Sequence, residues 1–141
     1  MGKRREGREA AVQFLFQDDL NKREASEIEP ALEEFWKLRE SAARTREFAT
    51  ELIRGVLANQ EAIDERIKRV TANYELHRIA PVDRNILRVE IYEMLYTSEV
   101  PPVVCINEGI EIAKRFGSED SGRFVNGILD KLKEEVARPL R

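Results

Sequence analysis

The chain has 141 residues, enough for one domain that buries about two thirds of the surface its unfolded form exposes. Apolar residues make up 42% and charged residues 36%, a balance that fits a compact, highly charged helical protein and not a disordered one. Several classes drop out at once. No apolar run reaches the roughly 18 residues of a membrane span. The start, MGKRREGREA, has no apolar core of the kind a secretory signal needs, and it lacks the Ser or Thr of a myristoylation signal. Cys105 is the single cysteine, so neither an internal disulfide nor a cysteine-cluster metal site is available. The cytoplasm is the expected compartment.

A net charge of −3 argues against a polyanionic ligand only if the charge is evenly spread, and it is not. Lys3, Arg4, Arg5 and Arg8 face Glu6 alone among the first eight residues, whereas residues 18–34 carry seven acids against Lys22 and Arg23. Screening limits each charge to a reach of about 8–10 Å, so a locally basic end remains compatible with binding a polyanion.

Helical spacing runs through almost the whole chain, and nothing alternates as a half-buried strand does. The first helix is expected from about residues 4–8 to Leu20, with Ala11, Phe14 and Leu15 on one face and Val12, Phe16 and Leu20 as a second apolar row. Ile28, Ala31, Leu32, Phe35 and Trp36 mark a second helix, with Ser26 as its N-cap and Pro30 in its first turn. A third runs from about Thr45 to Tyr74 along Ala49, Ile53, Val56, Ile63, Ile67, Val70 and Tyr74, interrupted by Gln60. Gly55 within it suggests close helix packing, since glycine costs about 1 kcal/mol against alanine there. Ala80-Pro81 ends the pattern and divides the chain into helical halves of about 1–79 and 80–141.

The fourth helix is expected over about Val82–Thr97, with Leu87, Ile91, Met94 and Leu95 inward. Asp83 favours its dipole, and Arg84 reads as a surface cation. Pro101-Pro102 opens the fifth, buried through Val103, Ile106, Ile110 and Ala113, with Cys105 a small buried hydrophobe. Gly117 is expected in the left-handed conformation that ends helices. Ser118, Asp120 or Ser121 caps a last helix whose apolar row is Val125, Ile128, Leu129 and Leu132. Asn107 and Asn126 are compatible with either buried or surface positions. The sum is an all-α single domain of about six to seven helices in two packed small bundles.

Catalytic constellations are hard to build. His77 is the only histidine and falls in a loop, the paired Glu-x-x-His ligands of a di-metal bundle are absent, and Gly117, Gly122 and Gly127 follow no strand that would make them a phosphate loop. Two segments carry binding chemistry instead. The basic start is either a solvated terminus or an arginine-rich arm for RNA phosphates; cations at a helix N-terminus oppose the macrodipole, a placement unfavourable for the helix alone. The corner from Arg115 to Phe124 joins Phe116, Phe124, Lys114, Arg115 and Arg123 to the N–H groups of a helix start, a set that single-stranded RNA binding uses. The same two aromatics are equally compatible with core positions.

Taken together, these segments resemble the NusB family of bacterial transcription antitermination factors. The resemblance covers nearly the whole chain. It rests on Arg8-Glu9-Ala10-Ala11-Val12-Gln13, on Val82-Asp83-Arg84-Asn85-Ile86-Leu87-Arg88 with Ile91-Tyr92-Glu93, on Pro101 with Ile106-Asn107-Glu108 and Ile110-Glu111-Ile112-Ala113-Lys114, and on Phe116-Gly117 with Phe124-Val125-Asn126-Gly127-Ile128-Leu129-Asp130. It implies an all-helical fold of two small bundles, with no catalysis and no cofactor. It also implies binding of single-stranded boxA-type RNA in nascent ribosomal RNA transcripts together with NusE, a small-subunit ribosomal protein, and then assembly with other Nus factors on RNA polymerase. Carried over residue by residue, RNA contact falls on Lys3, Arg4, Arg5, Arg8, Phe116, Asp120, Arg123 and Phe124, and NusE contact on Phe16 and Asp83. The chain departs from the family in Glu6-Gly7, which interrupt the arginine run, and in Gly109, where alanine is common. Two other readings remain. An RNA-targeting module of an RNA cytosine methyltransferase requires a Rossmann-type domain downstream, which a sequence ending at Arg141 does not lead one to expect. A self-association module would take a second copy of the chain, as a homodimer, through the second row of the first helix.

Overall fold

The computed structural model describes residues 2–71 and 75–136. It contains α1 (Lys3–Asn21), α2 (Ala25–Lys37), α3 (Ala43–Val70), α4 (Pro81–Tyr96), α5 (Pro102–Phe116) and α6 (Ser121–Leu132), with 3₁₀ turns at Leu76–Arg78 and Lys133–Glu135. No strand occurs among the described residues, so the all-α expectation holds. Tyr74, placed at the end of the third helix by its spacing, lies outside the described residues.

The core forms where the apolar rows meet. Phe14, Leu15, Ile53, Ile67, Ile86, Leu87, Ile91, Met94, Ile112 and Leu129 are all essentially inaccessible to solvent, each contributing about 1.5–3 kcal/mol through burial. Phe14 meets Phe35 edge-on with ring centroids 5.4 Å apart, and Phe35 meets Trp36 at 5.0 Å, which seats α2 on α1. Cys105 is buried in this core, whereas Asn107 and Asn126 are exposed. Gly55 gives close packing its reason: a Cβ there would lie 2.0 Å from Cζ of Tyr92, so the tyrosine ring fills the space of an α3 side chain. Gly109 does the same more gently, since a Cβ would sit 3.1–3.2 Å from Leu129, Glu90 and Val125. The missing methyl lets α5 settle on α4 and α6.

Several local expectations are corrected. Glu24, not Ser26, caps α2, through a capping box in which the Glu24 N–H donates to the Glu27 carboxylate at 2.8 Å; a longer carboxylate takes the role usually given to serine. Pro30 consequently falls in the second turn of α2. Gly117 is extended, with φ −93° and ψ −168°, and not left-handed. Its glycine identity comes from crowding instead, because a Cβ would meet Oγ of Ser121 at 2.4 Å and its Cβ at 2.6 Å. That serine accepts the Ser118 N–H at 2.9 Å and closes the corner. On α5 the buried face turns toward Cys105, Gly109 and Ile112, leaving Val103 and Ile110 half-buried.

The largest difference lies in α4, which is buried continuously from Asp83 to Ile91. Arg84 is no surface cation. Its Nε donates to Asp19 at 2.8 Å, and Nη1 donates to the carbonyls of Leu76 at 3.1 Å and Ile79 at 2.9 Å. Packed on several sides at once, α4 has no solvent face on which to leave its charges, so they pair inside.

Candidate nucleic-acid interface

The first turn of α1 begins at Gly2 without a side-chain cap, so its cations stand where the helix dipole is least welcoming. Tertiary ion pairs compensate. Arg8 donates from Nε and Nη2 to the Glu93 carboxylate at 2.6 and 3.0 Å, with both side chains almost wholly buried. Burial works against the Arg8 charge, yet Glu93 more than offsets it and the guanidinium is held above its usual proton affinity. Arg5 grips Glu108 of α5 in the same forked manner, Nε to Oε1 at 3.0 Å and Nη2 to Oε2 at 2.7 Å. Its hydrogen bonds hold the Glu108 carboxyl below the ordinary carboxylate range, against the opposing effect of burial. Arg8 also reaches Glu108 at 3.5 Å. Further along, Arg115 Nη1 donates to both oxygens of Glu9 at 2.8 and 3.0 Å.

These pairs follow the same order along both helices: Arg5 with Glu108, Glu9 with Arg115. The start of α1 therefore lies beside α5 in the same direction. The arm sits at one end of the seam and the corner after α5 at the other, about 12 Å on at 1.5 Å per residue.

The expected site residues divide along this seam. Lys3 and Arg4 are exposed, with the Arg4 guanidinium 5.1 Å from the centre of the Phe48 ring. Arg5 is half-exposed and committed to Glu108. Arg8 departs from the arm: closed in by Glu93, Glu108 and Phe48, it belongs to the support beneath the arm and not to its solvent edge. At the corner Asp120 and Arg123 are exposed, while Phe116 and Phe124 are half-buried and packed against the core. Lys114, Ser118, Gly122, Arg123 and Asn126 border an open groove of about 480 Å³. Sequence reasoning did not assign Glu108, Glu93 or Phe48 to this region, nor did it see that Arg115 lies 5.1 Å over Phe116 while paired to Glu9.

Phe16 and Asp83 lie at the opposite end of α1. Phe16 is half-buried. Asp83 is only 8% exposed, and its buried Oδ1 has no hydrogen-bond partner among the described residues. Their helices are joined by Asp19, one turn on from Phe16, whose Oδ2 accepts from Arg84, Asn85 (3.0 Å) and Arg88 (3.1 Å). Burial opposes the Asp19 charge, but these donors prevail and hold its carboxyl low. An open groove of about 780 Å³ borders this end, lined in part by Leu20, Leu76 and Arg84, and Leu20 is 58% exposed. His77 is exposed there beside Glu75. Among the described residues no helix is long and apolar enough to cross a membrane.

Fold and seam together define a small all-helical protein that presents a basic arm and a cationic helix corner along one line of ion pairs. Comparison with known proteins makes this specific: residues 5–134 match the model of the NusB family, and the chain belongs to that family. The transcription antitermination protein NusB of Desulfotalea psychrophila is 45% identical over 94% of this chain and 96% of its own length. That of Anaeromyxobacter sp. (strain Fw109-5) is 48% identical over 92% and 89%. Among solved structures, T. maritima NusB superposes with a TM-score of 0.83 at 38% identity, covering 96% of this chain and 93% of that one. A chain from the crystal structure of antitermination factors NusB and NusE in complex with dsRNA gives a TM-score of 0.79 at 24% identity over 96% and 98%, a likeness of fold alone.

Proposed function

We propose that this chain is a transcription antitermination factor acting by binding, without catalysis, in the cytoplasm. It takes single-stranded boxA-type RNA from nascent ribosomal transcripts jointly with NusE, and the complex joins other Nus factors on RNA polymerase. The observation that carries this reading is the seam itself. Arg5–Glu108 and Glu9–Arg115 fix the arm and the corner along one line, so that Lys3, Arg4, Lys114 and Arg123 supply cations to a single backbone, with Arg5 held beside them and Phe116 and Phe124 offering aromatic edges. Relatives bearing the antitermination name at 45–48% identity support it, as does the NusB–NusE assembly with RNA that shares the fold. Phe16, Leu20 and Asp83, whose Oδ1 is unpartnered among the described residues, form the surface we assign to NusE. The whole chain, residues 1–141, acts as one domain.

Four exposed cations on a single strand give an expected log–log salt slope of about −2 to −3. Binding of boxA-type RNA should tighten when NusE is present, since two weak surfaces then act on one ligand. Lys3→Ala/Arg4→Ala should lower affinity about tenfold at physiological salt and flatten the slope by about 1.4. Filter binding or fluorescence anisotropy across salt, with and without NusE, checks all three; a salt-insensitive affinity or no gain from NusE would overturn the assignment.

A further inference from the structure

The arm carries an anion of its own. Arg5 presents Nε and Nη2 as a fork, the geometry that guanidinium uses for phosphate as well as for carboxylate, and in this structure the fork is filled by Glu108. We propose that Glu108 is a competitor built into the RNA surface. It occupies the face of Arg5 that would meet a phosphate, so that only RNA already held by other contacts displaces it, and the arm thereby discriminates against polyanions at large. This rests on the RNA-binding reading above and adds to it a residue that sets specificity.

Three observations separate a competitor from a mere clamp. First, α1 has anchors besides Glu108. Arg8–Glu93 is a buried forked pair, Glu9–Arg115 ties the next turn to α5, and Gly7 lies so close to Phe48 that a Cβ would meet its ring at 2.7 Å. Second, the Arg5–Glu108 pair opens to solvent, with side chains 28% and 13% exposed. A ligand can therefore reach it, yet it is sheltered enough for the ion pair to outlast weak competitors. Third, a displaced Glu108 is not stranded. Arg8 already lies 3.5 Å from its Oε1 and remains beside it. The charged groups facing Glu108 are Arg5 and Arg8 from α1 and Glu90 from α4. As long as the pair is closed, Arg5 adds almost no net charge to the surface, and a ligand attracted by charge alone sees Lys3 and Arg4.

Glu108→Gln removes the competitor while keeping the shape of the side chain. Oligo-U of matched length should then bind about three- to tenfold more tightly, with a salt slope steeper by about 0.7, the increment for one further phosphate contact on a single strand. BoxA-type RNA should gain less, so the ratio between the two falls. On an Arg5→Ala background the same substitution should give no gain. Unchanged or weaker oligo-U binding by E108Q would overturn the proposal, and so would an equal gain without Arg5, which would reduce the effect to general charge. If E108Q melts early, the wild-type protein carries the test through the carboxyl ¹³C resonance of Glu108: its titration should move to higher pH when RNA saturates the protein, and an unmoved midpoint overturns the proposal. Absence of RNA binding by the wild type with and without NusE would instead defeat the functional reading itself.

Discussion

The two ends of α1 solve one problem with opposite charges. At its start, cations sit against the positive end of the helix dipole and are satisfied by carboxylates from α4 and α5. At its finish, Asp19 sits against the negative end and is satisfied by Arg84, Asn85 and Arg88 of α4. Both ends are unfavourable for an isolated helix and become favourable only in the fold. The pairs also fix direction and register, because Arg8 meets Glu93 while Asp19 meets Arg84, so α1 and α4 must run antiparallel. The difference between the ends is equally instructive. The Asp19 end is stoppered by extra partners and not by distance from solvent: Arg84 is also bonded to two carbonyls, and Arg88 is forked to Asp64 at 2.8 and 3.0 Å. The arginine end opens to solvent through Arg5 and carries a surplus acid. Glu90 is fully buried beside Glu93, and burial first, with that neighbour second, pushes its carboxyl well above the ordinary range. One end is built to hold and the other to hold and exchange.

Removing the central pair at the open end should cost most. Arg8→Ala leaves Glu93 buried without its partner and should destabilise the protein by about 3–5 kcal/mol, measured by urea unfolding; a loss under about 1 kcal/mol, typical of an exposed pair, would erase the contrast with surface decoration. Asp19→Ala should cost less, about 2 kcal/mol, because Arg88 retains Asp64 and Arg84 retains its carbonyls. The reverse order would show that the stoppered end is the true clamp.

The smallest effect concerns Glu90 and pH. Its folded carboxyl is raised, so between the unfolded carboxylate range and the raised value the native state holds the extra proton, and stability falls as pH rises. Asp19 and Glu108 are depressed, so their contribution is present above the unfolded values and is lost as pH falls from there through the lower folded values. Stability should therefore peak in the mildly acidic range, about pH 5–6. Glu90→Gln should add about 1 kcal/mol at pH 8 and little at pH 5. Denaturation midpoints at the two pH values check it, and an equal shift at both would exclude a raised Glu90.

All six helices were legible because their apolar rows are local and repeat with helical period. Boundaries slipped where a side chain serves a helix end in an unusual way, as Glu24 does in capping α2 and as Thr71 does in closing α3 by donating to the Ile67 carbonyl at 2.7 Å. The basic arm and the corner were legible as segments, but not which of their arginines would face solvent. That depended on partners about 85 to 106 residues away, which no local period records. A usable signal was present nonetheless. Arg8 shares its helical stripe with Ala11, Val12 and Leu15, and Glu108 with Cys105 and Ile112. A charge standing in an apolar row is a charge whose partner lies across the fold.

The meeting of Gly55 and Tyr92 has a consequence for how such a chain can diverge. The aromatic ring occupies the volume that any larger residue on α3 would need, and it is itself stacked on Tyr96 with centroids 6.1 Å apart. Position 55 is therefore not free to change while Tyr92 keeps its ring. An alanine at 55 becomes acceptable only in a lineage that has already exchanged Tyr92 for a smaller side chain, and a lineage that has gained the alanine cannot return to tyrosine. The order of substitutions, more than their chemistry, decides which sequences can reach this fold.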